Sequence, residues 1–208
     1  MKNRVVALER PWAPLATSVD TTRAAIADMP RVVLIGHSAG AEIAMHVAIA
    51  EPARVIALVL IAPVAGTAPL VPARLIARPP GTSRLGGPML RAGTPLFGRV
   101  FAQAWSDCTN LTLEVTDGCL RPLLAPGVAE ALWAMTAHPA TRRPRLPSHL
   151  PTLVLVGDDD RWTTPVEGGC QTVVRYTGCG HLPHEERPEE GLEAIRAFLT
   201  LGLGASGR

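Results

Sequence analysis

Along most of the chain, short unbroken hydrophobic runs alternate with longer periodic stretches. Val32 to Ile35 and Val55 to Ile61 are apolar at every position, as strands covered on both faces require. Leu153 to Val156 is a third such run, and Thr172 to Tyr176 is a weaker fourth. Between the first two, Ala41 to Ala50 is Ala-rich and helical until Pro52 stops it. Pro188 to Leu201 is amphipathic, with Leu192, Ile195, Phe198 and Leu199 on one face and Glu189 and Glu190 in the first turn, where a helix favours negative charge. Ahead of Arg31, Arg4 to Leu8 reads as a strand and Ser18 to Met29 as a short helix. The alternation predicts an α/β fold, a mostly parallel sheet with crossover helices.

Residues 64 to 150 break this rhythm. The stretch from Pro63 to Pro151 holds 13 of the 20 prolines and shows no strong strand pattern. The expected organisation is therefore a core of residues 1–63 and 151–208, interrupted by a helical cap at 64–150. Local helices are expected around Leu96 to Trp105 and Val128 to Ala137, where Phe97, Phe101, Trp105, Leu132, Trp133 and Met135 supply apolar surface.

Composition narrows the function classes. Of the 208 residues, 47% are hydrophobic and 18% charged, enough apolar surface for a core and too little charge for a disordered chain. Net charge is +2 and the basic residues are scattered; Arg142, Arg143 and Arg145 cluster without interleaved aromatics, so no nucleic-acid partner is expected. The apolar run after Lys2 and Arg4 spans only Val5 to Leu8, and no uninterrupted run is long enough for a membrane span, so no membrane partner is expected and the compartment is expected to be the cytoplasm. Cys108, Cys119, Cys170 and Cys179 form no CxxC pair or ligand spacing, and free thiols are expected.

The chemistry enters with Gly36-His37-Ser38-Ala39-Gly40, a G-x-S-x-G set between a buried strand and a helix. A tight strand-to-helix turn would lift the Ser38 hydroxyl out of the sheet, with the small residues Gly36 and Gly40 expected to relieve crowding. The same turn aims the Ala39 N–H and the positive helix end at a reacting carbonyl oxygen. A serine hydroxyl needs a histidine to take its proton and a carboxylate to hold that histidine in the useful tautomer. Downstream, Leu153 to Gly157 runs into Asp158, Asp159 and Asp160, which places carboxylates at the carboxyl end of a core strand, and Gly178-Cys179-Gly180-His181 follows the last strand.

These segments, RVVLIGHSAGAEIAMHVA, ARVIALVLIAP, PTLVLVGDDDRWTTP and GCGHLPHEERPEE, make the chain resemble an α/β-hydrolase-fold serine hydrolase of the esterase, lactonase and cofactor-free haloperoxidase-like group. The resemblance covers Arg31 to Pro63 and His149 to the C-terminus. It implies Ser38 as nucleophile, Asp160 through the pattern Gly-x-x-Asp, His181 through Gly-x-Gly-His, and a cap at 64–150. No cofactor or metal is implied; the three acids also lack a nearby His at ligand spacing. Of the other histidines, His37 is expected to pack beside the sheet, His46 lies on the elbow helix, His138 and His149 lie in or near the cap, and His184 falls outside the Gly-x-Gly-His frame. Asp158 and Asp159 are expected to solvate the loop or assist.

Two departures from the family pattern carry expectations. The family's first three strands and the loop bearing its second oxyanion donor precede the elbow, but only 37 residues precede Ser38 here, with no His before His37 and no Gly before Gly36. An N-terminally truncated chain is implied, in which Arg4 to Pro11 resembles the family's fourth strand and its turn. Val5 to Leu8 is then expected beside Val32 to Ile35, the alternatives being pairing with a partner or incomplete folding. Loss of one oxyanion donor costs about 100- to 1,000-fold in rate; the Trp12 N–H is the one substitute in view. The second departure is a short link between Asp160 and His181, where Thr164-Pro165-Val166-Glu167 is expected to start a helix that Gly168 and Gly169 stop. This connection is expected to leave His181 less well placed than its motif suggests.

The reading is a serine hydrolase acting through an acyl-enzyme on an ester-like carbonyl compound, a small or medium apolar acyl substrate. The alternative is a truncated, catalytically impaired or non-catalytic homologue that binds small apolar ligands.

Overall fold

The computed structural model describes residues 14–65, 102–107, 112–121, 125, 127, 128 and 142–204. Its elements are α1 (Leu15–Ala25), β1 (Val32–His37), α2 (Ala39–Ala50), β2 (Val55–Ile61), α3 (Leu113–Leu120), β3 (Arg145–Gly157), β4 (Glu167–Tyr176), α4 (Pro183–Glu186) and α5 (Pro188–Gly204). The four strands form one parallel sheet in the order β1-β2-β3-β4.

The unbroken apolar runs have a direct cause. β2 sends Leu58 and Leu60 into a cluster with Ile43, Met45 and Val47 of α2, on the side where Leu15 and Val19 of α1 also pack. Its alternate residues Val59 and Ile61 join Leu153 and Leu155 of β3, against which Ala194, Ile195 and Phe198 of α5 pack. A strand covered on both faces has no polar face to show in its sequence. Among the described residues β1 pairs with β2 alone, and Ile35 is 57% exposed. The expectation that Val5 to Leu8 lies beside β1 falls outside the described residues, as do the Trp12 N–H and most of the cap.

Three local expectations are corrected. β3 starts at Arg145 rather than Leu153, although Pro147 and Pro151 fall within it. The ladder to β4 shifts register between Leu146 and Pro151, and prolines survive in a strand where such an irregularity spares their missing N–H. β4 starts at Glu167 rather than Thr172. The helix expected at Thr164 does not form: Thr164 Oγ1 accepts the Ala65 N–H at 2.9 Å and donates to the Pro63 carbonyl at 3.3 Å, so the capping hydroxyl ties the crossover to the end of β2 instead. Residues 158–166 are too few for the dozen or more of a helical crossover, and the link runs without one.

Gly168 explains why β4 can begin so early. Its φ is +76°, and a Cβ there would lie 2.1 Å from the Leu146 carbonyl oxygen, so only glycine lets the two strands close. Gly178, φ +64°, has open space where a Cβ would go. Gly178→Ala is therefore expected to cost only the backbone penalty of about 1–2 kcal/mol. Gly168→Ala is expected to cost clearly more; urea denaturation of the two variants checks the order, and equal losses would contradict it.

Candidate active site

One residue, Ser38, separates β1 from α2, and its backbone sits at φ 53°, ψ −123°. A non-glycine residue in the left-handed region costs of order 1–3 kcal/mol and persists only where its surroundings hold it. Here the Ser38 N–H donates to the Ile61 carbonyl at 2.9 Å, and the Ser38 carbonyl accepts from Ala41 N–H at 3.0 Å and Val64 N–H at 3.2 Å. The turn is crowded at Gly36, where a Cβ would lie 2.5 Å from the Gly40 carbonyl oxygen. Gly40 itself needs no such relief, since a Cβ there meets nothing within 4 Å, which corrects half of the crowding expectation. Ala39 is the first residue of α2, where amide hydrogens lack partners within the helix and the helix dipole is positive.

The Ser38 hydroxyl makes no cap bond to α2. Its Oγ lies 2.9 Å from His181 Nε2, and His181 Nδ1 lies 2.8 Å from Asp160 Oδ2. The side chains of His181 and Asp160 are 7% and 1% exposed. His181 is thus not displaced by the short crossover. Its loop is held to the end of β3 by the Asp159 N–H donating to the Cys179 carbonyl at 3.0 Å. The two loops approach so closely that a Cβ on Gly157 would lie 2.1 Å from that same carbonyl oxygen.

Asp160 is held as an anion. Burial pushes its carboxyl up, but bonds from His181, from the Thr163 hydroxyl and from the Trp162 N–H at 2.8 Å outweigh that and hold it at about 2. An ionised Asp160 can only accept, so Nδ1 of His181 carries the hydrogen, and in the neutral ring Nε2 faces Ser38 with its lone pair. The arrangement can take the proton from the serine hydroxyl, the requirement for making it a nucleophile.

The remaining candidates go elsewhere. Asp159 bonds the Ser106 hydroxyl and Asp158 meets Thr177 and Arg175. His149 is exposed, and the His184 ring packs tilted against His37, with centroids 4.6 Å apart. Several supports lie outside the sequence motifs. Thr163 falls three residues after Asp160, a spacing at which an Asp side chain commonly folds back on the next turn, and that signal was available. The Ala104 carbonyl accepts the His181 N–H at 2.6 Å, and Glu186 accepts N–H bonds from Gly180 at 2.7 Å and Ser106 at 3.0 Å. These join segments far apart in sequence, and no local pattern announces them. Cys179, buried beside Glu186, has its thiol pushed up to about 12 by burial and stays protonated.

The Asp160 environment sets an acid dependence. A carboxyl whose folded value is below its ordinary 3.8 stabilises the fold above that value, and the contribution disappears as pH falls through the folded value of about 2. The stability difference between the parent and Asp160→Asn is expected to shrink as pH falls from about 4 to 2. Denaturant titration at stepped pH checks this; a difference independent of pH would contradict it.

Among the described residues no helix is long and apolar enough to cross a membrane. No curated protein matches the chain at the level of sequence. Solved structures do. Est816, an N-acyl homoserine lactone degrading enzyme, is 22% identical, with a TM-score of 0.65 over 91% of this chain and 77% of its own. A thermophilic esterase from Thermogutta terrifontis is 22% identical, with a TM-score of 0.63 over 94% of this chain and 74% of its own. A putative non-heme bromoperoxidase, BpoC, from Mycobacterium tuberculosis is 22% identical, with a TM-score of 0.56 over 89% and 73%. At these identities the likeness is one of fold. The profile of the "Alpha/beta hydrolase family" matches residues 5–194, nearly the whole chain, and the protein belongs to that family.

Proposed function

We propose that the protein is a serine hydrolase that cleaves an ester-like carbonyl substrate through an acyl-enzyme on Ser38. The observation that carries this reading is the continuous chain of hydrogen bonds from Ser38 Oγ to His181 to Asp160, at 2.9 and 2.8 Å, between residues 143 and 21 positions apart in sequence. In the proposed reaction His181 Nε2 takes the Ser38 proton as the oxygen attacks the carbonyl carbon. Asp160 holds the ring and offsets the imidazolium charge, and the Ala39 N–H at the positive end of α2 donates to the developing oxyanion. Collapse expels the alcohol, which receives the proton from His181. Water then enters by the same route, His181 again taking a proton, and releases the acid with Ser38 restored.

The proposed substrate class is supported by what surrounds the histidine. Ala104, Trp105 and Leu182 form a buried apolar cluster with Val115 and Trp162 packed on it, and the Trp162 ring stands edge-on to His181 at 5.0 Å. With the other apolar residues of the chain between β2 and β3, this favours a small or medium apolar acyl compound. Serine at the elbow argues against the chemistry of dehalogenases and epoxide hydrolases that use an aspartate nucleophile. No cofactor enters any step. A cytoplasmic location is part of the same proposal.

A fluorophosphonate probe is expected to label the parent and not Ser38→Ala. Asp160→Asn, which keeps the geometry but favours the wrong tautomer, is expected to lower kcat for a p-nitrophenyl ester by roughly 10⁴-fold. A folded parent, verified by circular dichroism, that neither labels nor hydrolyses the ester would overturn the reading in favour of a non-catalytic binder.

A further inference from the structure

The proposed chemistry leaves His37 without a task, yet this residue touches the base directly. His37 ends β1 and adjoins Ser38 in sequence. Its Nε2 lies 2.9 Å from the backbone carbonyl oxygen of His181. A carbonyl only accepts, so Nε2 carries the hydrogen and the tautomer of His37 is fixed. The groups facing the ring are His181 at 5.1 Å, His184 at 4.6 Å and, further off, the Asp160 carboxylate. Burial keeps His37 uncharged down to about 4, so near neutral pH it acts as a donor with no charge to oppose an imidazolium at His181.

The consequence is geometric. The His181 backbone is gripped at both ends, its N–H by the Ala104 carbonyl at 2.6 Å and its carbonyl by His37. Two consecutive residues therefore reach the same histidine, Ser38 at the ring and His37 at the main chain. Both descend from one rigid strand, so the separation of nucleophile and base is closed into a ring of covalent and hydrogen bonds. Among the described residues no other hydrogen bond reaches the His181 carbonyl, and the chain beyond it is held by the packing of Leu182 on Ala104 and Trp105 and by the turn that follows. A buried carbonyl stripped of its donor would also tend to turn toward another one, and the ring would turn with it.

We propose that His37 is a positioning residue that sets the distance between Ser38 Oγ and His181 Nε2 by anchoring the His181 carbonyl. The role rests on the proposed serine hydrolase reading. Misplacement by about 1 Å can cost on the order of 100-fold in rate without contact to substrate. His37→Phe, which keeps the bulk and removes the donor, is expected to lower kcat for p-nitrophenyl butyrate by about 10- to 100-fold with KM unchanged. His37→Gln places an amide N–H where Nε2 stood and is expected to recover most of that loss. His37→Asn is one methylene too short and is expected to stay near His37→Phe.

The low-field proton NMR signal of the His181 Nδ1–H, held by Asp160, provides a readout independent of turnover. It is expected to be sharp in the parent and in His37→Gln and broadened in His37→Phe. A parent that neither labels nor hydrolyses ester overturns the hydrolase reading. An active parent whose His37→Phe variant keeps its kcat and its sharp signal overturns the positioning role alone. So does an Asn variant as active as the Gln variant, the comparison that decides if His37→Phe shows no cooperative thermal unfolding.

Discussion

The 2.9 Å contact between Ser38 Oγ and His181 Nε2 is the interaction on which the rest of the site depends, and a parallel sheet makes it possible. β1, β3 and β4 all run the same way, so the residues that leave their carboxyl ends arrive at one edge however far apart they lie in sequence. Sheet topology delivers the three side chains to the same neighbourhood but does not fix the last ångström. That is left to short loops whose backbones interlock, with Asp159 bonded to Cys179, Gly180 to Glu186 and His181 to Ala104.

Close approach governs which residues the loops can use. Gly36, Gly157 and Gly180 each lack room for a Cβ, which would come within 2.5 Å of a backbone oxygen of Gly40, Cys179 or Ala104 respectively. Strain enters at Ser38, whose backbone lies in the left-handed region. Bonds to the end of β2 hold that strain in place. The elbow, the acid turn and the histidine loop thus form one interlocked unit. A change at any of these glycines would be felt at Ser38 through the backbone.

The strand run of β2 and the helices α2 and α5 are legible in the sequence because burial leaves a pattern that neighbours in sequence share; β1 carries the same apolar run although Val32 to Leu34 are only half-buried and Ile35 is exposed. The pattern predicts β3 and β4 too short. Pro147, Pro151, Gly168 and Gly169 all signal a break when taken one at a time, and only their pairing across the Leu146 irregularity turns them into strand. The Thr164 cap failed for a related reason, since a hydroxyl suited to starting a helix found partners at Pro63 and Ala65. At the site, Ser38, Asp160 and His181 stood out because each occupies a motif at a strand end, and the structure brings them together. His37, Ala104 and Glu186 act through contacts between distant segments, and their sequence context carries no trace of it.

The central claim is a covalent one, an acyl group carried by Ser38. Acid quenching after mixing with a p-nitrophenyl ester, followed by tryptic digestion and mass spectrometry, tests it most directly. The fragment Val32 to Arg54 contains Ser38 and no other Ser, Thr, Tyr, Cys or Lys. An acyl-enzyme on Ser38 raises the mass of that fragment by one acyl group, and Ser38→Ala is expected to give no such species. Turnover of the ester with the acyl mass on a different fragment would contradict it.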